Sequence, residues 1–259
     1  IQKFEEQHDK LEVPYGTNIQ RIFFVDEAHR GYNPQGSFLA NLMNADTNAV
    51  RIALTGTPLL KEERETWKVF GNYYDKYYYD KSIADGFTLR LMREEIEMSY
   101  KDELLKIIEA ELGEDPILSN KDFTKDLISK SSNYLHTLIR YVDKDLRRFR
   151  KENDDESVAG MIVLENNPQA RKFKEYFDRF QKQVDGKPLV AKLILHDEGE
   201  AEERKAITEN FKHENDIDLL IVNQMLLTGF DAHRLKRLYL TRKMKGHDLL
   251  QALTRVNRP

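Results

Sequence analysis

The sequence predicts an α/β protein whose mostly parallel sheets are flanked by helices. Three observations predict it. Residues 22–25 are a short apolar run without polar alternation, the pattern of a strand buried on both faces, and 50–54, 159–164 and 217–222 are further predominantly apolar runs of strand length. Between several of them, apolar residues recur three and four apart, the spacing of one buried helix face. Each run also delivers polar residues at its carboxyl end, the edge where open parallel sheets bind ligands.

Residues 1–20 carry little pattern, and Pro14 with Gly16 marks a loop. The first run breaks directly into Asp26-Glu27-Ala28-His29, which sets two carboxylates side by side at a strand tip. In phosphoryl-transfer ATPases one acid so placed holds Mg²⁺ and a neighbour can orient the attacking water. A strand that simply ends in solvated acids is the plain alternative. Gly31, Asn33, Pro34 and Gly36 make an irregular loop, and Ser37 is an N-cap for a short helix through Leu39, Leu42 and Met43. The second strand, 50–54, ends in Thr55-Gly56-Thr57-Pro58. Strand, helix and strand in succession give the βαβ rhythm of a parallel sheet.

Residues 61–69 read as helical. Residues 72–80 are dense in tyrosine, which favours extended structure with phenols at a strand edge over a stacking surface for bases. A turn follows at 84–87 and an extended segment at 88–92. From 101 to about 155 the chain is charged and helical. Leu104, Ile108 and Leu112 form one stripe, and Leu135, Leu138, Val142, Leu146 and Phe149 form another. The polar run 151–156 is an exposed connection.

From Val158 the βα rhythm returns. Residues 159–164 are a strand, and Asn167 with Pro168 supplies a cap and first helical position. The helix buries Ala170, Phe173, Phe177, Phe180 and Val184, with Gly186 beyond its end. Strands at 189–195, 217–222 and 237–240 and helices at 200–213 and 248–256 complete the chain, Ile207 and Phe211 facing inward from the first of those helices.

A chain of 259 residues has room for one large domain or two modest ones. Hydrophobic content of 40% with 33% charged residues describes a soluble globular chain rather than a disordered one. No apolar run approaches the roughly 18 residues of a membrane span, and residues 1–6 lack signal-peptide features. The chain starts at Ile1 without an initiator Met, so it is expected to be a piece of something longer. Zero cysteines exclude disulfides and thiolate metal sites and fit a reducing cytosol. The net charge of −4 gives no global signature of nucleic-acid binding. Residues 234–258, however, hold Arg234, Lys236, Arg237, Arg242, Lys243, Lys245, Arg255 and Arg258 against Asp248. That run is either a solvated face or a local surface for phosphates.

Four clusters stand in order: Val25-Asp26-Glu27-Ala28-His29, Thr55-Gly56-Thr57-Pro58, Thr228-Gly229-Phe230-Asp231 and residues 251–258. The series resembles motifs II, III, V and VI of superfamily-two helicases and translocases. Residues 196–211, a histidine after a strand and an arginine-bearing helix, resemble the stretch between motifs IV and V. More narrowly, Tyr78 with residues 82–88, residues 225–232 and residues 250–259 resemble the motor (R) subunit of type I restriction-modification enzymes. The resemblance covers most of 20–100 and 158–259.

It implies two RecA-like lobes, with ATP in the cleft and duplex DNA across the top. Residues 1–79 would be the later part of an incomplete first lobe. Residues 80–259 would be the second lobe, with a helical insertion at about 101–157. Asp26 would hold Mg²⁺ and Glu27 would polarise the attacking water. Arg255 and Arg258 would reach the γ-phosphate, for which the fixed fork of arginine donors is suited. Gly229 would let the backbone approach ATP, Asp231 would accept from the ribose or fix the last helix, and Gln251 would contact phosphates or bridge to His29. His29, Thr55 and Thr57 would couple nucleotide state to DNA grip, although strand-end capping also explains the threonines. Thr228 and the Asn166-Asn167 pair would touch the DNA backbone, with helix capping the rival role for Asn167. Implied partners are double-stranded DNA and the modification and specificity subunits.

Three features depart from the family. No Gly-x-x-x-x-Gly-Lys-Ser/Thr loop occurs, the family's upstream nuclease domain is missing, and His233 stands where proline is usual. The chain alone is therefore expected to hydrolyse no ATP at a useful rate. Another superfamily-two motor, an RNA helicase or a remodelling ATPase, and a non-catalytic module binding DNA or partner subunits are the alternatives.

Overall fold

A computed structural model describes residues 19–26, 28, 48–56, 70–94, 98–112, 131–227 and 230–256. The chain divides into two compact units, Ile1–Tyr78 and Tyr79–Pro259.

In the first unit β1 (Ile22–Val25) pairs in parallel with β2 (Val50–Ala53), Ile22 opposite Val50 and Val25 opposite Ala53. Phe23, Val25, Arg51 and Ala53 are half-buried on one face. Ile22, Phe24, Val50 and Ile52 are exposed on the other, Phe24 by 67%. The expectation of strands buried on both faces thus fails on one of them. Such burial needs cover on each side, and an apolar run records only the capacity for it.

The tyrosine-rich stretch is not a strand. Residues 71–78 are irregular, and α1 (Tyr79–Ala84) begins within the predicted extended segment. Tyrosine favours strands by packing on a pleated surface, and these rings, Tyr74 above all, lie exposed. Residues 88–92 are held without a ladder. The Tyr79 phenol donates to Leu89 O at 3.0 Å and accepts from Leu91 N–H at 2.7 Å. Gly86 turns this loop with φ 79°, a conformation that costs glycine little.

The second unit is built on a four-stranded parallel sheet of order β4-β5-β3-β6. The strands are β3 (Ala159–Val163), β4 (Ala191–Ile194), β5 (Leu219–Val222) and β6 (Leu235–Leu240). Every residue of β3 and β5 is buried, which explains their unbroken apolar sequences. Besides α1 the unit has α2 (Met98–Leu112), α3 (Ser132–Asn153), α4 (Asn167–Gln181), α5 (Ala201–His213) and α6 (Gly246–Leu253). Leu135, Ile139, Val142 and Leu146 of α3 and Phe173 and Phe177 of α4 meet Ile162, Leu219 and Ile221 on one face of the sheet. Phe211 of α5 and Ala252 of α6 meet Met161, Val163, Leu220 and Val222 on the other. Strand period two and helix period 3.6 both serve this layering.

Charged groups fasten the layers. Arg150, at the last turn of α3, donates to Asp218 at 2.6 Å and to Val158 O at 2.7 Å, with both side chains 5% exposed. The second Asp218 oxygen accepts from Val190 N–H. These bonds tie the start of β3 to the start of β5 and the end of α3. Among the described residues no helix is long and apolar enough to cross a membrane.

Candidate functional site

In the first unit the ladder carries Asp26 and Thr55 to the same edge. Leu54 N–H donates to Val25 O at 2.9 Å, which extends the pairing past β2. Ala28 N–H then donates back to Leu54 O at 3.0 Å. The chain after β1 is therefore folded over the tip of β2, and the turn at Asp26 lies beside the backbone leading to Thr55. Ala28 is buried there. A carboxylate at such a tip is a hard oxygen donor suited to Mg²⁺. Glu27, His29 and Thr57 lie outside the described residues.

In the second unit the carboxyl ends of the strands carry a polar cluster. The N-cap of α4 is Asn166 rather than Asn167, its side-chain oxygen accepting from Gln169 N–H at 2.9 Å. Pro168 therefore sits one position further into the first turn than expected. Freed from capping, the Asn167 amide donates to Asp197 at 2.7 Å and its oxygen accepts from Asn223 at 3.0 Å. Hydrogen bonds from Asn167 first, then from Arg171 at 2.9 Å, hold Asp197 below the usual carboxylate range. Arg242 donates to Asn223 O at 3.2 Å. Asn223, Asp197 and Arg242 each follow a strand end; in the sequence Arg242 stands out only as one of the basic run, and Asn223 and Asp197 are not singled out. The rule that strand tips carry ligand contacts would have found them. Asn166→Ala should cost about 1 kcal/mol of stability, and Asn166→Asp little, measured by urea denaturation.

The loop after β5 passes through Leu226, whose φ of 63° is left-handed. A branched side chain seldom adopts it, and such strain gathers at functional sites. Thr228 and Gly229 follow, outside the described residues. Phe230 is buried with its ring 5.9 Å from Phe211, whereas Asp231 is exposed. His233 is exposed in a turn closed by Leu235 N–H to Ala232 O, so the turn forms without proline.

Gln251 and Arg255 come together at the end of α6. Both are buried, and Arg255 Nε donates to Gln251 O at 3.1 Å. The guanidinium also donates to Phe230 O. The structure thus gathers Phe230, Gln251 and Arg255 at one place, with Asp231 next in sequence. Arg258 lies outside the described residues. The basic run at 234–258 is largely internal in its arginines. Arg234 donates to Ser157 O and Glu214 O, and Arg237 is ion-paired. Among the described residues no group of three or more His, Asp or Glu is placed to hold a metal.

Known proteins resemble the chain along its whole length. Residues 1–114 match the family model described as SWI2/SNF2 ATPase, and residues 147–259 match type I restriction enzyme subunit R domain 3. The HindI type I restriction enzyme endonuclease subunit of Haemophilus influenzae is 30% identical over all of this chain and 27% of its own length. A corresponding endonuclease subunit of Staphylococcus aureus is 27% identical, over 94% of this chain and 29% of its own length. The chain thus spans less than a third of these relatives. The solved fragment of an HsdR subunit from Vibrio vulnificus is 16% identical, covering 99% of this chain and 43% of that one, with a TM-score of 0.61. At that identity it speaks for the fold, which is that of RecA-like helicase domains. From these matches, the chain belongs to the family of type I restriction enzyme R subunits and carries part of their helicase-like core.

Proposed function

We propose that this chain is part of the ATP-dependent motor of a type I restriction endonuclease, coupling hydrolysis to translocation along double-stranded DNA before a separate domain cuts. The observation that carries it is the folding of the Asp26 turn onto the tip of β2, which brings an acid and Thr55 to one ligand-binding edge. In this reading residues 1–79 belong to the first lobe and 80–259 to the second, with 101–157 added to the second, and the protein works in the cytoplasm. Asp26 holds Mg²⁺, which when bound neutralises charge on the phosphates. Glu27 accepts a proton from the attacking water. Gly229, Asp231 and Gln251 bind the nucleotide, and Arg258 meets the γ-phosphate. His29, Thr55, Thr57, Thr228 and Asn166 link nucleotide state to DNA, with modification and specificity subunits as partners.

The test uses the full-length protein in its restriction complex. ATP-dependent displacement of a third strand from duplex DNA is expected, with no unwinding of RNA. RNA strand separation without duplex translocation would favour an RNA helicase, and salt-sensitive DNA binding that ignores ATP would favour a non-catalytic module. The 259-residue chain alone should show no DNA-stimulated turnover, since its sequence holds no phosphate-cradling Gly-Lys loop.

A further inference from the structure

We infer that Arg255 is a positioning residue for the loop carrying Asp231, rather than a second contact to the γ-phosphate. The inference rests on the reading of the chain as part of an ATPase motor. Arg255 lies just past α6 and is 8% exposed. Its Nε donates one turn back to Gln251 O at 3.1 Å, and a terminal nitrogen donates to Phe230 O. A buried carbonyl needs a donor, and the Phe230 carbonyl has a charged one. Phe230 is otherwise fixed by its ring, which packs on Phe211 and lies under the Lys212 ammonium. Ala232 is buried on the far side. Asp231 is thus an exposed carboxylate between two anchored neighbours, with Arg255 fixing the peptide that leads into it. The planar fork serves two carbonyls at once, which a lysine ammonium does less well.

The two roles separate in their dependence on the nucleotide. A ribose contact through Asp231 is common to ATP and ADP, whereas a γ-phosphate contact exists with ATP alone. ADP titration of the full-length protein therefore tests the assignment. Arg255→Ala should weaken ADP binding about tenfold, the effect of one lost charge-assisted hydrogen bond. Arg258→Ala should leave it within about twofold, and Arg255→Lys should recover part of the loss. Unchanged ADP affinity in Arg255→Ala, with hydrolysis lost, would overturn the assignment in favour of a γ-phosphate contact. A loss that Arg255→Lys does not lessen would overturn it in favour of general packing. Should Arg255→Ala fail to fold, Arg255→Lys decides alone: an intermediate loss of ADP affinity supports positioning, and none refutes it. A wild-type protein that binds no ADP would instead sink the ATPase reading beneath it.

Discussion

Glu27→Gln in the full-length protein is expected to lower DNA-stimulated ATP hydrolysis by about 10²–10⁴-fold, the usual contribution of a positioned general base. The amide keeps the size of the carboxylate and loses its ability to take a proton from water. ATP binding should stay within a few-fold of wild type, because the interactions lost arise in the transition state rather than on binding. Asp26→Asn differs in a telling way. In the proposed role of Asp26 it would remove a charged oxygen donor to Mg²⁺, so nucleotide affinity measured with the metal present should fall along with turnover. Steady-state hydrolysis and equilibrium nucleotide binding, measured on both variants, separate the two acids. Near-normal turnover in Glu27→Gln would remove Glu27 from its role and leave the motor reading without a base.

The second unit was legible in the sequence because its sheet has cover on both faces. In β3 and β5 every residue is buried, so the composition of the run and its environment say the same thing. The first unit was less so. Ile22-Phe23-Phe24-Val25 reads as doubly buried, yet Phe24 is exposed, because an apolar run states what a strand can bury and not what lies against it. The tyrosines at 73–79 misled for a related reason: their strand preference depends on neighbours the pattern cannot supply. The stripe on α3 was visible at its correct spacing, but its partner, the face of β3 and β5, is set by topology.

Asp26 and Thr55 in the first unit, and Asp231, Gln251 and Arg255 in the second, all came from motif order. The network of Asn167, Asp197 and Asn223 did not, since it joins residues 30 and 56 positions apart that meet only once the strands are parallel. The internal use of Arg234, Arg237 and Arg255 was equally hidden. A basic run on paper looks like a surface, and only the geometry shows which guanidinium groups face carbonyls and carboxylates.

Arg237→Leu should destabilise the second unit by about 3–5 kcal/mol, because it strips a buried carboxylate of its main cation. Asp145 is only 2% exposed and accepts from Arg237 Nε and Nη2 at 2.9 and 2.6 Å, from Tyr239 at 2.8 Å and from Arg148 at 2.7 Å. Arg237 also grips Glu94 with two bonds of 2.7 and 2.8 Å, fastening the segment after α1 to β6 and α3. Burial opposes the Arg237 charge, but Glu94 and Asp145 outweigh it and raise its affinity for the proton. The double variant Arg237→Leu/Asp145→Leu should be markedly less destabilised than the sum of its parts, since it removes the buried carboxylate together with its main cation. Glu94→Gln should cost no more than about 1 kcal/mol, its carboxylate being 42% exposed and screened by solvent. The Arg237 hydrogen bond, against partial burial, holds Glu94 below its ordinary value of 4.5. Its contribution is therefore complete above that value and lost as pH falls through the lowered one, so acid should shrink the gap between wild type and Glu94→Gln. Urea midpoints of the wild type, the single variants Arg237→Leu, Asp145→Leu and Glu94→Gln, and the double variant across that range test the arrangement. If Arg237→Leu proves no weaker than Glu94→Gln, Asp145 is not the buried charge these distances describe.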